Sequence, residues 1–265
     1  LHALDEGTAK QAEEWGAFDF MLEKKAKGLV KHVGFSFHDK AEVLENILTR
    51  HPEMEYVQLQ LNYADWEDPE VQSRKCYEVC VKHNKPVLVM EPIKGGMLAN
   101  VPAEAERLLK DARPEMSVAS WAIRFAASQE KVFMVLSGMS DEQQVEDNLS
   151  YMKDFTPLSN EEKDLVARSA AIIKSKEKVP CTGCRYCTDG CPMKIAIPDY
   201  FKLLNRISMF GEAQIASAKS TYKDRTEKEG HGKASDCVGC RQCEEHCPQH
   251  LPITEYLEEV AKTFE

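Results

Sequence analysis

Nowhere does this sequence carry an apolar run approaching the ~20 residues that a bilayer-spanning helix requires. Basic runs of any consequence are missing too, and the formal net charge is -10 over 265 residues. Neither a membrane span nor a nucleic-acid surface is therefore expected. No stretch reads as a secretory segment, and none reads as a flavin motif that would convert between one- and two-electron chemistry. Cysteine is almost lacking before residue 180, where Cys76 and Cys80 stand alone. They lie i and i+4 within DPEVQSRKCYEVCVKHN, an amphipathic helical pattern, and read as small buried hydrophobes. A soluble, reducing, cytoplasmic setting is the expectation.

What is present is a concentration of cysteine near the C-terminus. Of ten cysteines, eight fall in two copies of one spacing, CTGCRYCTDGCP from Cys181 and CVGCRQCEEHCP from Cys237. The spacing C-x2-C-x2-C-x3-C-P is that of two-cluster bacterial ferredoxins, in which the fourth cysteine of each run ligates the other cluster. Cys181, Cys184, Cys187 and Cys247 are thus assigned to one [4Fe-4S] centre. Cys237, Cys240, Cys243 and Cys191 are assigned to the second. Structural zinc would more typically use well-separated C-x2-C pairs, and a disulfide framework would imply an oxidising compartment. Gly183 and Gly239 are expected to let backbone amides approach the inorganic sulfides. The repeat continues past the prolines: Ile195 matches Leu251, Ile197 matches Ile253, Asp199 matches Glu255 and Tyr200 matches Tyr256. Each half then reads as a Cys run, an apolar loop and a helix, with an acidic residue in the first turn to suit the macrodipole.

Residues 1–176 read as strands alternating with helices, and residues 177–265 as the cluster domain. VKHVGFSF (31–38), EYVQLQLN (55–62), KPVLVMEP (85–92) and KVFMVLSG (131–138) are short and largely apolar, as strands covered on both faces would be. The stretches between them carry helical patterns, the first as one run from residue 8 to residue 28, with Asp39, Asp68, Ser117 and Ser140 or Asp141 at expected N-caps. This alternation implies parallel βαβ units, in an α/β fold that is either a doubly wound sheet or a (β/α)8 barrel; periodicity alone does not separate the two.

Four motifs fall at the C-terminal ends of these expected strands, where barrel enzymes build their sites, and a fifth precedes them at the start of the sequence. They are LHALD at the start, GFSFH, QLNY, MEPIKGG and LSGMSDEQQVEDN. In this order they resemble the aldo-keto reductases, specifically a subgroup with a ferredoxin-like C-terminal extension. The resemblance implies a TIM-type (β/α)8 barrel and an NAD(P)H-dependent oxidoreductase acting on a small carbonyl substrate. It puts His2 at the catalytic histidine, Ser36 and Gln60 at the nicotinamide carboxamide, Glu91 in the pyrophosphate loop and Asn148 at the adenine. Met90 stands where many members stack a tyrosine on the nicotinamide. Gly138 and Gln144 stand where NADP-preferring members often carry basic residues.

The family's proton-donating tyrosine, its lysine and its aspartate all precede the fourth strand, where this chain begins. The expectation is a barrel portion running from about strand four to strand eight, inactive by itself and able to self-associate through open sheet edges. A second functional reading stands beside the first: an electron-transfer or redox-interaction protein with two [4Fe-4S] clusters and a non-catalytic barrel. Whether the clusters pass electrons to a redox partner, sense oxidation or brace the domain is open at this level.

Overall fold

The computed structural model describes residues 1–265. It divides the chain into two compact units, residues 1–100 with 105–170, and residues 101–104 with 171–265. The elements run α1 (Glu6–Glu14), α2 (Ala17–Ala26), β1 (Gly34–Phe37), α3 (Ala41–Arg50), β2 (Tyr56–Gln60), α4 (Ser73–Lys82) and β3 (Val87–Met90). Then follow α5 (Ala103–Ala112), α6 (Val118–Ala127), β4 (Val132–Val135), α7 (Glu142–Met152) and α8 (Asn160–Ser175). The remainder is helical: α9 (Tyr186–Asp189), α10 (Ile197–Phe210), α11 (Ile215–Glu227), α12 (Gln242–Glu245) and α13 (Ile253–Phe264).

In the first unit β1 to β4 are parallel and lie side by side in chain order. Ahead of them Leu4 bridges Phe37 in the same direction. Its N–H donates to Ser36 O at 2.8 Å, and its carbonyl accepts from His38 N at 2.9 Å. A doubly wound sheet reverses its strand order at a switch point. Here the order never reverses, which is the order of barrel staves.

Side-chain alternation along β2 buries Val57 and Leu59 while leaving Tyr56, Gln58 and Gln60 half-buried. Along β3, Val87 and Val89 are buried and Leu88 and Met90 are not. The expectation of strands covered on both faces holds for β1, where all four residues are buried, and is corrected for β2, β3 and β4. β2 and β3 pack one face and leave the other partly open, and β4 has no buried residue on either face, with Phe133 and Met134 more than half exposed.

Local chemistry explains where the helices depart from the pattern. The single run expected over residues 8–28 is two helices, because Gly16 adopts φ 66°, a left-handed conformation that ends the first. Ser117 and Asp141 are true N-caps, accepting from Ser120 N and Gln144 N. Asp39 and Asp68 are not. The residue preceding α3 is Lys40, and the Asp39 carboxylate instead takes the Lys40 and Glu6 amides. Asp68 takes the amides of Glu70 and Val71 in a turn ahead of α4. Aspartate offers the same hydrogen bond to a turn as to a helix start. Cys76 and Cys80 are buried on α4, and burial pushes the Cys76 thiol up to about 12, as a packed hydrophobe requires.

Glu55 ties α2 to the first strands. Its carboxylate takes the Lys25 ammonium at 2.7 Å and the Val33 amide at 2.9 Å. The Lys25 hydrogen bond, followed by the Val33 amide, holds it below the usual glutamate value, at about 2. A carboxylate with a depressed folded value contributes stability that is present above its unfolded value and lost as pH falls through the folded one. Urea midpoints measured from pH 5 down to pH 2 should therefore fall more steeply in the wild type than in Glu55→Gln. Parallel curves would show that this contact contributes nothing.

The second unit is an internal repeat built around the cysteines. Gly183 and Gly239 both adopt φ 68°, Arg185 and Arg241 φ 64° and 56°, and Lys194 and His250 φ 53° and 51°. The helices α9 and α12 follow equivalent cysteines, as α10 and α13 follow equivalent prolines. Asp199 and Glu255 lie in the first turns of α10 and α13. A Cβ on Gly239 would meet no protein atom within 4 Å, and the positive φ by itself favours glycine in this loop. Tyr200, Phe201, Ile253 and Val260 form the core between the two halves of the repeat.

Candidate functional site

At the C-terminal ends of β3 and β4 a cleft of about 550 Å³ opens. It brings together Met90, Glu91, Gly138, Gln144 and Asn148. Met90 ends β3, and Glu91 follows it at φ 53°, a strained conformation for a residue with a Cβ. Across the cleft the first turn of α7 is fixed reciprocally: Asp141 accepts from Gln144 N at 2.9 Å, and Gln144 Oε1 accepts from Ser140 N at 2.8 Å. Asn148 donates to Ser137 Oγ at 3.1 Å and accepts from the Tyr151 hydroxyl. The charged side chains lining the cleft are Glu91 and Asp147.

Gln60 lies directly opposite Met90 in the sheet register. It lines a neighbouring cleft of about 180 Å³ with His38 and Cys76. Its amide is oriented by Asp65, which is 2% exposed. Asp65 accepts from Gln60 Nε2 at 3.0 Å and Asn62 Nδ2 at 2.8 Å, and it pairs with Lys94. A carboxylate only accepts, so Gln60 must turn its N–H2 inward and leave its carbonyl oxygen outward. Asn62 also donates to Glu91 O at 3.2 Å, which links this buried group to the cleft loop. His2 and Ser36 form a pair on the first rungs of the sheet, with Nδ1 to Oγ at 3.1 Å.

The cysteines gather in two quartets. Cys181, Cys184, Cys187 and Cys247 line one pocket with Phe201, Leu251 and Ile253. Cys191, Cys237, Cys240 and Cys243 line another with Ile195, Ile197 and Leu257. The fourth cysteine of each run has crossed to the three of the other. Two quartets, each completed by the fourth cysteine of the other run, are the ligand arrangement of two-cluster ferredoxins. Burial pushes the Cys187 thiol up to about 12 and Cys243 to about 11. Holding them as thiolates requires cationic metal.

Residues 1–170 match the family model described as the aldo/keto reductase family. The chain belongs to that family. Residues 180–251 match a 4Fe-4S dicluster domain. Among solved structures, the chain is similar to the holo form of an aldo-keto reductase from Bacillus halodurans, at 20% identity and TM-score 0.43 over 56% of this chain and 52% of that one. It is similar to a Klebsiella pneumoniae aldo-keto reductase in complex with NADPH, at 19% and 0.43 over 56% and 51%. A Brucella melitensis aldo/keto reductase gives 18% and 0.45 over 59% and 53%. The chain thus spans about half the length of these structures. No curated protein matches it.

Within this aldo/keto reductase chain, sequence reasoning missed Asn62, Asp65 and Lys94, whose network forms only when the ends of β2 and β3 meet. It also missed Asn205 on α10. That side chain accepts from Lys178 N at 3.1 Å and Val179 N at 2.7 Å and donates to Val179 O at 2.7 Å. It pins the backbone two residues before Cys181. No helix in the chain is long and apolar enough to cross a membrane.

Proposed function

We propose that the chain forms part of an iron-sulfur aldo/keto reductase that reduces a small carbonyl compound with NAD(P)H. The observation that carries this reading is the single cleft that gathers Met90, Glu91, Gly138, Gln144 and Asn148. In this reading the pyrophosphate lies along the Glu91–Gly96 loop and the adenosine against Gln144 and Asn148. The outward carbonyl oxygen of Gln60 accepts a carboxamide N–H, Ser36 lies at the same end, and Met90 covers one face of the ring. Reduced nicotinamide, when bound, supplies a hydride. His2 orients the carbonyl group and stabilises charge developing on its oxygen. The protein that contains this chain should transfer deuterium from a 4-deuterated reduced nicotinamide to a carbonyl carbon. Changing Ser36 and Gln60 together to alanine should weaken nucleotide binding by about 1–3 kcal/mol, the range for lost hydrogen bonds to buried polar groups. Unchanged binding by calorimetry would remove both from the site.

Cys184 and Cys240 are the exposed members of their quartets, which supports a second role in exchanging single electrons with a redox partner. Assembled clusters would supply one-electron transfer, and the apolar pocket walls would set how far water reaches them. A barrel that only carries this module is the competing reading, and it requires no nucleotide. The exposed apolar side chains of β4, Phe133 and Met134, lie on the edge strand of the sheet, and unpaired edges of this kind favour self-association.

A further inference from the structure

The first rungs of the sheet carry a hydrogen-bond arrangement that fixes a proton as well as an orientation. Ser36 on β1 is 4% exposed. Its Oγ accepts from the Ala3 backbone N–H at 2.7 Å and lies 3.1 Å from His2 Nδ1. The backbone on either side is held as firmly, with Ser36 N donating to Leu1 O at 3.2 Å and Leu4 N donating to Ser36 O at 2.8 Å.

A hydroxyl has one hydrogen and two lone pairs. The Ala3 amide can only donate, so it takes one lone pair and leaves the hydrogen to be placed. If His2 carried its proton on Nδ1, the ring would donate into the second lone pair, and the buried Ser36 hydrogen would have no acceptor. Folded proteins rarely leave such a donor orphaned. If Nδ1 is bare, the hydroxyl donates to it, and the Ala3 amide, the Ser36 hydroxyl and the imidazole nitrogen are all satisfied.

We propose that Ser36 is a positioning residue that holds His2 in the tautomer protonated on Nε2, so that the ring offers a hydrogen-bond donor on its outward side. The chemical consequence rests on the carbonyl-reduction reading above. An Nε2–H stabilises negative charge growing on a carbonyl oxygen, whereas a bare Nε2 would oppose it. The assignment also narrows what Ser36 does toward the nicotinamide. Its hydrogen is committed to His2 and one lone pair to Ala3, so toward a carboxamide it acts only as an acceptor of N–H.

The test is a long-range proton–nitrogen correlation spectrum of the imidazole side chains, recorded on anaerobically prepared whole chain, with the His2 signals identified by their loss in His2→Gln. In the wild type, His2 should show a fully pyridine-like Nδ1 and a fully pyrrole-like Nε2, beyond the fast-exchange average of the urea-unfolded protein. Ser36→Ala should move His2 to that average and leave the other imidazoles in place. Ser36→Thr, which keeps the hydroxyl, should restore the wild-type pattern. A protonated Nδ1 in the wild type, or His2 nitrogens at the unfolded average, would overturn the proposal even if the alanine variant failed to fold. So would a Ser36→Ala spectrum unchanged at His2. Titration of the same samples with NADH separates this from the reading it rests on. Absent binding with a locked tautomer removes carbonyl reduction alone, and intact binding with an averaged tautomer removes the role of Ser36 alone.

Discussion

Replacing Arg124 by methionine should destabilise the unit containing residues 105–170 by about 3 kcal/mol, at the lower end of the cost of breaking a buried ion pair. Arg124 is 4% exposed, and its guanidinium reaches both oxygens of Glu162 at 3.2 Å. Glu162 is the hub of that region. It accepts from Ser159 N at 3.0 Å, while its own amide donates to Ser159 Oγ at 3.2 Å, a reciprocal cap on α8. Arg113, on the solvent side, also reaches Glu162 at 3.2 Å and would remain in the variant, which is why the expected loss is not larger. The double variant Arg124→Met/Glu162→Met should recover part of the loss, because it leaves no uncompensated buried charge. Urea unfolding followed by Trp121 fluorescence is the measurement, since the Arg124 guanidinium lies 5.6 Å from that ring. A loss under ~1 kcal/mol, the size of an exposed pair, would show that water reaches this site.

Iron content supplies the second large effect. Anaerobically purified protein should contain about eight iron and eight sulfide per chain, as two four-iron centres require. Cys191→Ala should reduce both to about four, because Cys191 lines the pocket of Cys237, Cys240 and Cys243 and not that of its own run. Cys247→Ala should remove the other half, since Cys247 lies with Cys181, Cys184 and Cys187. Cys76→Ala should change neither figure. Stoichiometric zinc without labile sulfide would contradict the assignment outright. Loss of both clusters in each single variant would show instead that the two halves assemble only together.

The cysteines were legible because ligand spacing is a local property: three residues within one turn and a proline after the fourth need no tertiary information. The crossing of Cys191 and Cys247 was legible for the same reason, as a property of the repeat. The strands were readable from their apolar runs, whereas their coverage on both faces was read correctly only at β1. An apolar residue such as Phe133 looks the same in sequence whether or not anything packs against it. Asp39 and Asp68 were misread as N-caps because an aspartate that closes a turn and one that starts a helix offer the same oxygen to the same kind of amide. Gly16 was hidden inside an amphipathic pattern that continues on both sides of it. The network of Gln60, Asn62, Asp65 and Lys94 was out of reach for a different reason. Its members come from the end of β2 and the loop after β3, and each alone is an ordinary polar residue near a strand end. Only their convergence on the buried Asp65 carboxylate gives Gln60 a defined direction.

Calorimetric titration of the anaerobically purified chain with NADH, repeated with NADPH, bears most directly on the claim that the cleft between the ends of β3 and β4 is a nicotinamide nucleotide site. The account predicts one site per chain, weakened in Asn148→Ala. It also predicts no gain for NADPH, because Glu91 and Asp147 are the charged side chains lining the cleft and a 2′-phosphate finds no charge-assisted partner there. Heats equal to dilution for both nucleotides, in protein with its full iron content, would contradict it.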